Sequence, residues 1–289
     1  MRLTFSNIEN ELENFIHIDN QIIDISQYDF IEPLGCAILK ALKEDNPDIE
    51  IMGNPNNPSF SYITTLANSK YNPQKTYIPI EIVNIGNENE SRNKIVEAIL
   101  KSFKKSEKDL SKEDLNDLKQ YLEYMIGELL NNAILHSLSQ IGAVITGQYF
   151  PYIKKLQICI VDRGVGFLQN LKKRYSVKTE EEAIKKALEK GVTSPPFKSN
   201  AYYSQISHAG FGLYALKTII EKTMGNLLII SNSGVVKLTP EGLKSQTINT
   251  TWEGSIVIFE FFEQNINHSL EEFMRIYLWG EEEENEEIF

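Results

Sequence analysis

The sequence predicts an α+β/α/β protein of two units and an acidic tail, divided at 1–87, 88–264 and 265–289. Three observations carry that expectation. Short apolar strands alternate with helical patterns up to about residue 87. A polar break, GNENES (86–91), then precedes two long helical patterns. Beyond these, apolar runs of strand length dominate as far as GSIVIFEFF (254–262). A chain of 289 residues has room for two cores, since domains commonly run about 100–200 residues.

In the first unit, QIIDIS (21–26) reads as a strand. PLGCAILKALKE (33–44) reads as a helix with Pro33 in its first turn, where a missing N–H costs nothing. IEIMG (49–53) is a second strand, stopped by the turn-rich NPNNP. SFSYITTLAN (59–68) suggests a helix and YIPIEIVNI (77–85) a closing strand. In the second unit a helix is expected near 91–106. Another starts where Ser111 precedes Asp114 by three, close to a capping box, and runs to about 138. AVITGQYF (143–150) and KLQICIV (155–161) are strands. EEAIKKALEKG (181–191) and GLYALKTIIEKTMGN (212–226) are helices with Gly191 and Gly225 at their expected C-terminal stops. LLIISNSG, GVVKLT and GSIVIFEFF are three more strands, and GEEEENEEIF is an acidic run with no drive to fold.

Composition narrows the function. Hydrophobic residues make up 42% and charged residues 24%, an ordinary globular balance. A net charge of −11 argues against a broad nucleic-acid surface. No apolar run approaches the roughly 20 residues that span a bilayer, and MRLTFSNIENELENF lacks the core of a signal peptide. Cys36 and Cys159 both lie in apolar runs, which suits buried thiols in a reducing compartment. The expectation is a cytoplasmic protein without nucleic-acid or membrane partners.

Three stretches carry chemistry: GELLNNAILHS (127–137), VDRGVGF (161–167) and SHAGFGL (207–213). Glu128, Asn132 and His136 are spaced by four, so each lies about 40° round and about 6 Å along from the last. They form a polar stripe beside the apolar arc of Leu122, Met125, Ile126, Leu129, Leu130, Ala133 and Ile134, at the rim where a helix lines a cleft. Asn132 offers a neutral oxygen to a hard cation such as Mg²⁺. Glu128 can polarise a water for attack on a phosphate; a solvated helix edge would show the same spacing. Asp162 ends an apolar run and can accept from an exocyclic amine, while Gly164 and Gly166 let the backbone approach a flat ligand. Gly210 and Gly212 open a helical pattern whose free N–H groups suit phosphate. GFGLYA also fits G-x-G-x-x-A, but PPFKSNAYYSQISHA before it is too polar to be the strand that a dinucleotide fingerprint must follow.

In this order the stretches resemble the three boxes of the GHKL (Bergerat-fold) ATP-binding domain, over about residues 90–262. Glu128 and Asn132 match the Glu-x-x-x-Asn pair of the N box, VDRGVGF the first glycine box and GFGL the second. The resemblance implies helices packed on one face of a mixed sheet. It also implies ATP and Mg²⁺ as cofactors, Asn132 on the metal, Asp162 on the adenine amine, and Gly164 and Gly166 along the base. Gly210, Gly212 and Leu213 would meet the phosphates, Glu128 would be the general base, and residues 168–209 would form the ATP lid. Thr193 and Ser194 would cap its return. His136 is similar to the histidine of the anti-sigma-factor kinases' NAxxH and equally suits a structural role. Ser255 stands about where the family often has a nucleotide-contacting threonine.

IIDISQYDFIEPLGCAILKAL resembles the STAS fold of anti-anti-sigma factors, with Leu34 where a phosphorylatable serine would stand. Three functions follow from the two resemblances. The first is an Mg-dependent ATPase switch in signalling that acts on a STAS-like or other regulatory protein, as a monomer or a dimer. The second is a serine/threonine kinase of a separate STAS-like protein. The third is a nucleotide-binding module without turnover. No acceptor helix accompanies the 4 histidines, which argues against a histidine kinase.

Overall fold

A computed structural model of the chain describes residues 1–57, 60–64, 76–106, 111–192, 212–262 and 265–279. Gly210, Thr193, Ser194, the second part of the expected lid and the acidic run from 280 lie outside them.

The first unit contains β1 (Arg2–Leu3), α1 (Ile8–Phe15), β2 (Ile22–Asp24), β3 (Phe30–Ile31), α2 (Pro33–Asp45) and β4 (Glu50–Met52). Its strands pair in parallel as β1–β3 and β2–β4, two short ribbons rather than one sheet. β5 (Tyr77–Val83), expected to close this unit, instead forms an edge of the sheet of the second. Its partner lies sixty or more residues on, a pairing that local pattern does not announce.

The second unit continues with α3 (Glu88–Ser106), α4 (Lys112–Asn131), a π-helical turn (Asn132–His136), β6 (Ala143–Phe150) and β7 (Lys155–Asp162). α5 (Gly166–Leu171), α6 (Glu180–Ala187), α7 (Gly212–Lys222), β8 (Asn226–Thr239) and β9 (Gly242–Phe262) complete it. The capping box forms: Ser111 Oγ accepts from the Asp114 N–H at 3.0 Å, and Asp114 Oδ2 accepts from the Ser111 N–H at 2.9 Å. α6 stops at Leu188, before Gly191, and Met224 rather than Gly225 takes the left-handed conformation after α7 (φ 53°).

The sheet order is β5-β6-β7-β9-β8, and every neighbouring pair is antiparallel. The expected mixed sheet is thus corrected to an antiparallel one. Tight hairpins join β6 to β7 and β8 to β9, and such short links permit only antiparallel neighbours. In β5 the register shifts between Ile78 and Glu81, around Pro79, which has no N–H for the ladder.

Helices cover both faces of this sheet, a second correction. Leu156, Ile158 and Ile160 of β7 face a core shared with α3, α4 and α7. Cys159 and Val161, on the alternate face, join a core built from α1, α2 and the ribbons of the first unit. Both faces of β7 are therefore apolar, and its sequence reads as a continuous run. α2 lies along β6 and β7 and buries Leu34, Cys36, Ala37, Ile38 and Leu39. At its start the Glu32 side chain accepts from the Phe5 N–H at 2.7 Å and from Gln157 Nε2 at 2.9 Å.

Residues 265–279, expected in the tail, contain α8 (Leu270–Met274) and a π-helical turn (Arg275–Trp279). Ser269 caps α8, and Phe273, Met274 and Leu278 are buried against the second unit. Their helical spacing makes one apolar stripe. Among the described residues no helix is long and apolar enough to cross a membrane.

Candidate nucleotide site

Asp162 is the last residue of β7 and lies opposite Ser255 of β9, which lies opposite Ser231 of β8. These three polar residues form a row across one end of the sheet. Asp162 is 2% exposed. Its Oδ2 accepts from the Ser255 hydroxyl and its Oδ1 from the Gly164 N–H at 2.9 Å. Burial pushes the carboxyl up to about 6, and the hydrogen bonds from Ser255 and Gly164 oppose that rise.

The turn after Asp162 packs directly on the end of the π-helical turn that follows α4. The Val165 N–H donates to the Ser137 carbonyl at 2.8 Å, and a side chain at Gly164 would run into that same carbonyl. Gly166 has a φ of 76°, in the left-handed region, and a Cβ there would lie 2.6 Å from Ser231 Oγ. The first two motifs thus meet backbone to backbone.

Glu128 and the third motif also meet. Glu128 is half-buried on α4, and a Cβ at Gly212 would collide with its carboxylate. Burial raises the Glu128 carboxyl above the usual carboxylate range. Gly212 and Leu213 open α7, where the first N–H groups have no partner within the helix. The Leu213 side chain packs into the core, leaving its backbone as the polar group. Gly210 lies outside the described residues.

Asn132 ends α4, with its N–H shared between the Glu128 and Leu129 carbonyls, and starts the π-helical turn that carries His136. Such turns widen a helix by one residue and often mark functional positions. The half-buried Asn132 and His136 stand between Glu128 and the Gly164 turn along the chain. Among the described residues no group of three or more His, Cys, Asp or Glu side chains could cage a metal. One neutral amide oxygen is nonetheless a suitable donor for Mg²⁺, which takes one or two protein ligands and completes its shell with phosphate and water.

The sequence pattern does not reveal the partners that hold this site. Glu180 of α6 accepts from the Leu168 N–H at 3.1 Å and from Asn232 Nδ2 at 2.6 Å, and its Oε2 lies 3.1 Å from Ser231 Oγ. Residues 168–192, expected as the first part of a lid, therefore form α5 and α6 packed on the sheet, with Ile184 and Leu188 buried in its core. Trp252 donates its indole N–H to the Asp162 carbonyl at 3.1 Å. Arg163 packs over the Trp252 ring, 4.7 Å from its centroid. Strand register brings Ser231, Trp252 and Ser255 together at Asp162; the resemblance singled out Ser255, and no local spacing signals the other two.

Comparison with protein-family models and with curated proteins found no match to the chain.

Proposed function

We propose that the chain binds ATP with Mg²⁺ between the end of β7, the end of α4 and the start of α7. It hydrolyses the nucleotide as a switch that acts on a protein partner. The observation that carries this reading is the Asp162 carboxylate. It is buried, accepts from the Ser255 hydroxyl and the Gly164 N–H, is further favoured by the Ser255 backbone N–H and the Arg163 charge, and forms no ion pair among the described residues. A carboxylate has about four lone-pair sites, so acceptor capacity remains for the exocyclic amine of adenine. The GHKL resemblance of the three motifs supports the same assignment.

In this reading the backbone N–H groups of Gly212 and Leu213 and the dipole of α7 receive the phosphates. Asn132 would hold Mg²⁺ through its side-chain oxygen, and the ion would supply charge neutralisation at the phosphate oxygens. Glu128 takes a proton from a water as that water's oxygen bonds to the γ-phosphorus. The bond from this phosphorus to the bridging oxygen breaks, and ADP leaves with that oxygen. The raised pKa of Glu128 makes it a stronger base than an exposed glutamate.

A kinase acting on a separate STAS-like protein would use the same groups. Leu34 favours a separate acceptor over an internal one, because it has no hydroxyl and is fully buried against the sheet. Incubation with γ-labelled ATP, with and without a STAS-like protein, distinguishes the two: free phosphate supports the switch, label on the partner the kinase. Glu128→Gln should lower turnover by about 100-fold or more and leave the Kd for ATP within about twofold. Unchanged turnover removes Glu128 from the mechanism. Undiminished ATP binding by Asn132→Ala and Asp162→Asn would refute the pocket itself.

A further inference from the structure

The side chain of Arg163, the residue after Asp162, is held on every side. Its Nε donates to Asp45 Oδ2 at 3.0 Å, and its Nη1 donates to the Glu253 carbonyl at 3.2 Å. Its Nη2 lies 3.6 Å from the Glu253 carboxylate, and its backbone N–H donates to Ser139 Oγ at 3.3 Å. Beneath the guanidinium is Trp252, itself hydrogen-bonded to the Asp162 carbonyl. The Arg163 side chain is 14% exposed and that of Asp45 38%, so the guanidinium is held from below by Trp252 while its ion pair lies at the surface.

Asp45 belongs to the other unit. It is the last residue of α2, where an acid opposes the helix dipole, so its placement does nothing for the helix that carries it. The opposite end of α2 is tied to the opposite end of β7 through Glu32 and Gln157. One helix of the N-terminal unit is thus fastened at both ends to the strand that terminates in Asp162.

We propose that Arg163 is a positioning residue and that its ion pair with Asp45 lets the N-terminal unit set how well the Asp162 carboxylate meets a purine amine. This rests on the ATP-binding reading. Coupling of this kind is reciprocal: whatever moves α2 changes nucleotide affinity, and nucleotide changes the hold on α2 by the same factor. The STAS-like unit is then the port through which a protein partner speaks to the site.

The test compares two probes on the full chain, MgATP and the Mg²⁺ complex of purine riboside triphosphate, which lacks the exocyclic amine. Titration calorimetry gives the ratio of their Kd values. The unmodified chain should prefer ATP by about tenfold, and Asp162→Asn should lose that preference. Asp45→Ala and Arg163→Ala should each cut it at least threefold, chiefly by weakening ATP. Asp45→Glu should restore most of it, which a general loss of stability would not allow. Full ATP preference in Asp45→Ala, with the preference lost in Asp162→Asn, overturns the coupling and leaves the binding reading standing. Equal weakening of both probes by Asp45→Ala also overturns it. If the unmodified chain shows no preference, or Asp162→Asn keeps it, the adenine assignment falls and the coupling with it.

Discussion

β7 and β9 carry a buried carboxylate at each end of their pairing, and the two are satisfied in opposite ways. Glu260 stands opposite Gln157, while Asp162 stands opposite Ser255. Glu260 is 4% exposed and Asp162 2%. The Glu260 oxygens take three donors: Lys155 Nζ at 2.5 Å, Gln157 Nε2 at 3.0 Å and Asn226 Nδ2 at 2.8 Å. One of these is a cation, which balances the charge. Asp162 receives the Ser255 hydroxyl and the Gly164 N–H, with the Ser255 backbone N–H and the nearby Arg163 charge also favouring its ionised form, yet burial still lifts its pKa. Equal burial therefore marks two different jobs. Glu260 has its charge balanced by a direct cation, whereas Asp162 is held by neutral donors without an ion pair.

The contrast can be broken at its structural end. Lys155 lies 2.5 Å from Glu260 and 4.0 Å from Glu32. Lys155→Met would leave both buried acids without that cation and should cost about 3–5 kcal/mol in urea denaturation at pH 7. A loss below about 1 kcal/mol would show that the network is not a fastening. At the other end the expected sign reverses. Asp162 has a folded pKa of about 6, so the folded chain binds its proton more tightly than the unfolded chain does. Stability from this group is greatest below pH ~4 and falls as the pH rises through about 6. Asp162→Asn should therefore be more stable than the parent at pH 7 by about 1–3 kcal/mol while losing ATP affinity. That gain should vanish near pH 4, and a pH-independent difference would rule out burial of the charged carboxylate as its cause. The smallest change sharpens the contrast. Ser255→Ala removes one donor worth about 1 kcal/mol, raising the Asp162 pKa further. Calorimetric titration with ATP from pH 5 to 8 should show the acid limb of binding moved up by about half to one unit.

The local rules of the chain were legible in its sequence and the long-range ones were not. The Ser111–Asp114 capping box, the bounds of β6 and the termination of β7 at Asp162 all follow from spacing within a few residues. Motif order pointed to one pocket without naming contacts, and the structure brings Gly212 against Glu128 and the Gly164 turn against Ser137. Nothing local shows that the N-terminal unit closes the second face of the sheet, because Cys159 and Val161 look alike whether a helix or another strand covers them. The amphipathic stripe of 270–278 was hidden by the acidic run that follows it. Arg163 and Asp45, 118 residues apart, had no sequence signal at all.

Pro79 and the register shift in β5 have a consequence for assembly. β5 is a free edge of the sheet, the kind of boundary where another chain could add a strand. A proline and a bulge remove the evenly spaced donors that such an addition requires. At this boundary the sheet is terminated by its own chemistry, so lengthening it past β5 is disfavoured, and β8 is the other edge, which carries no proline.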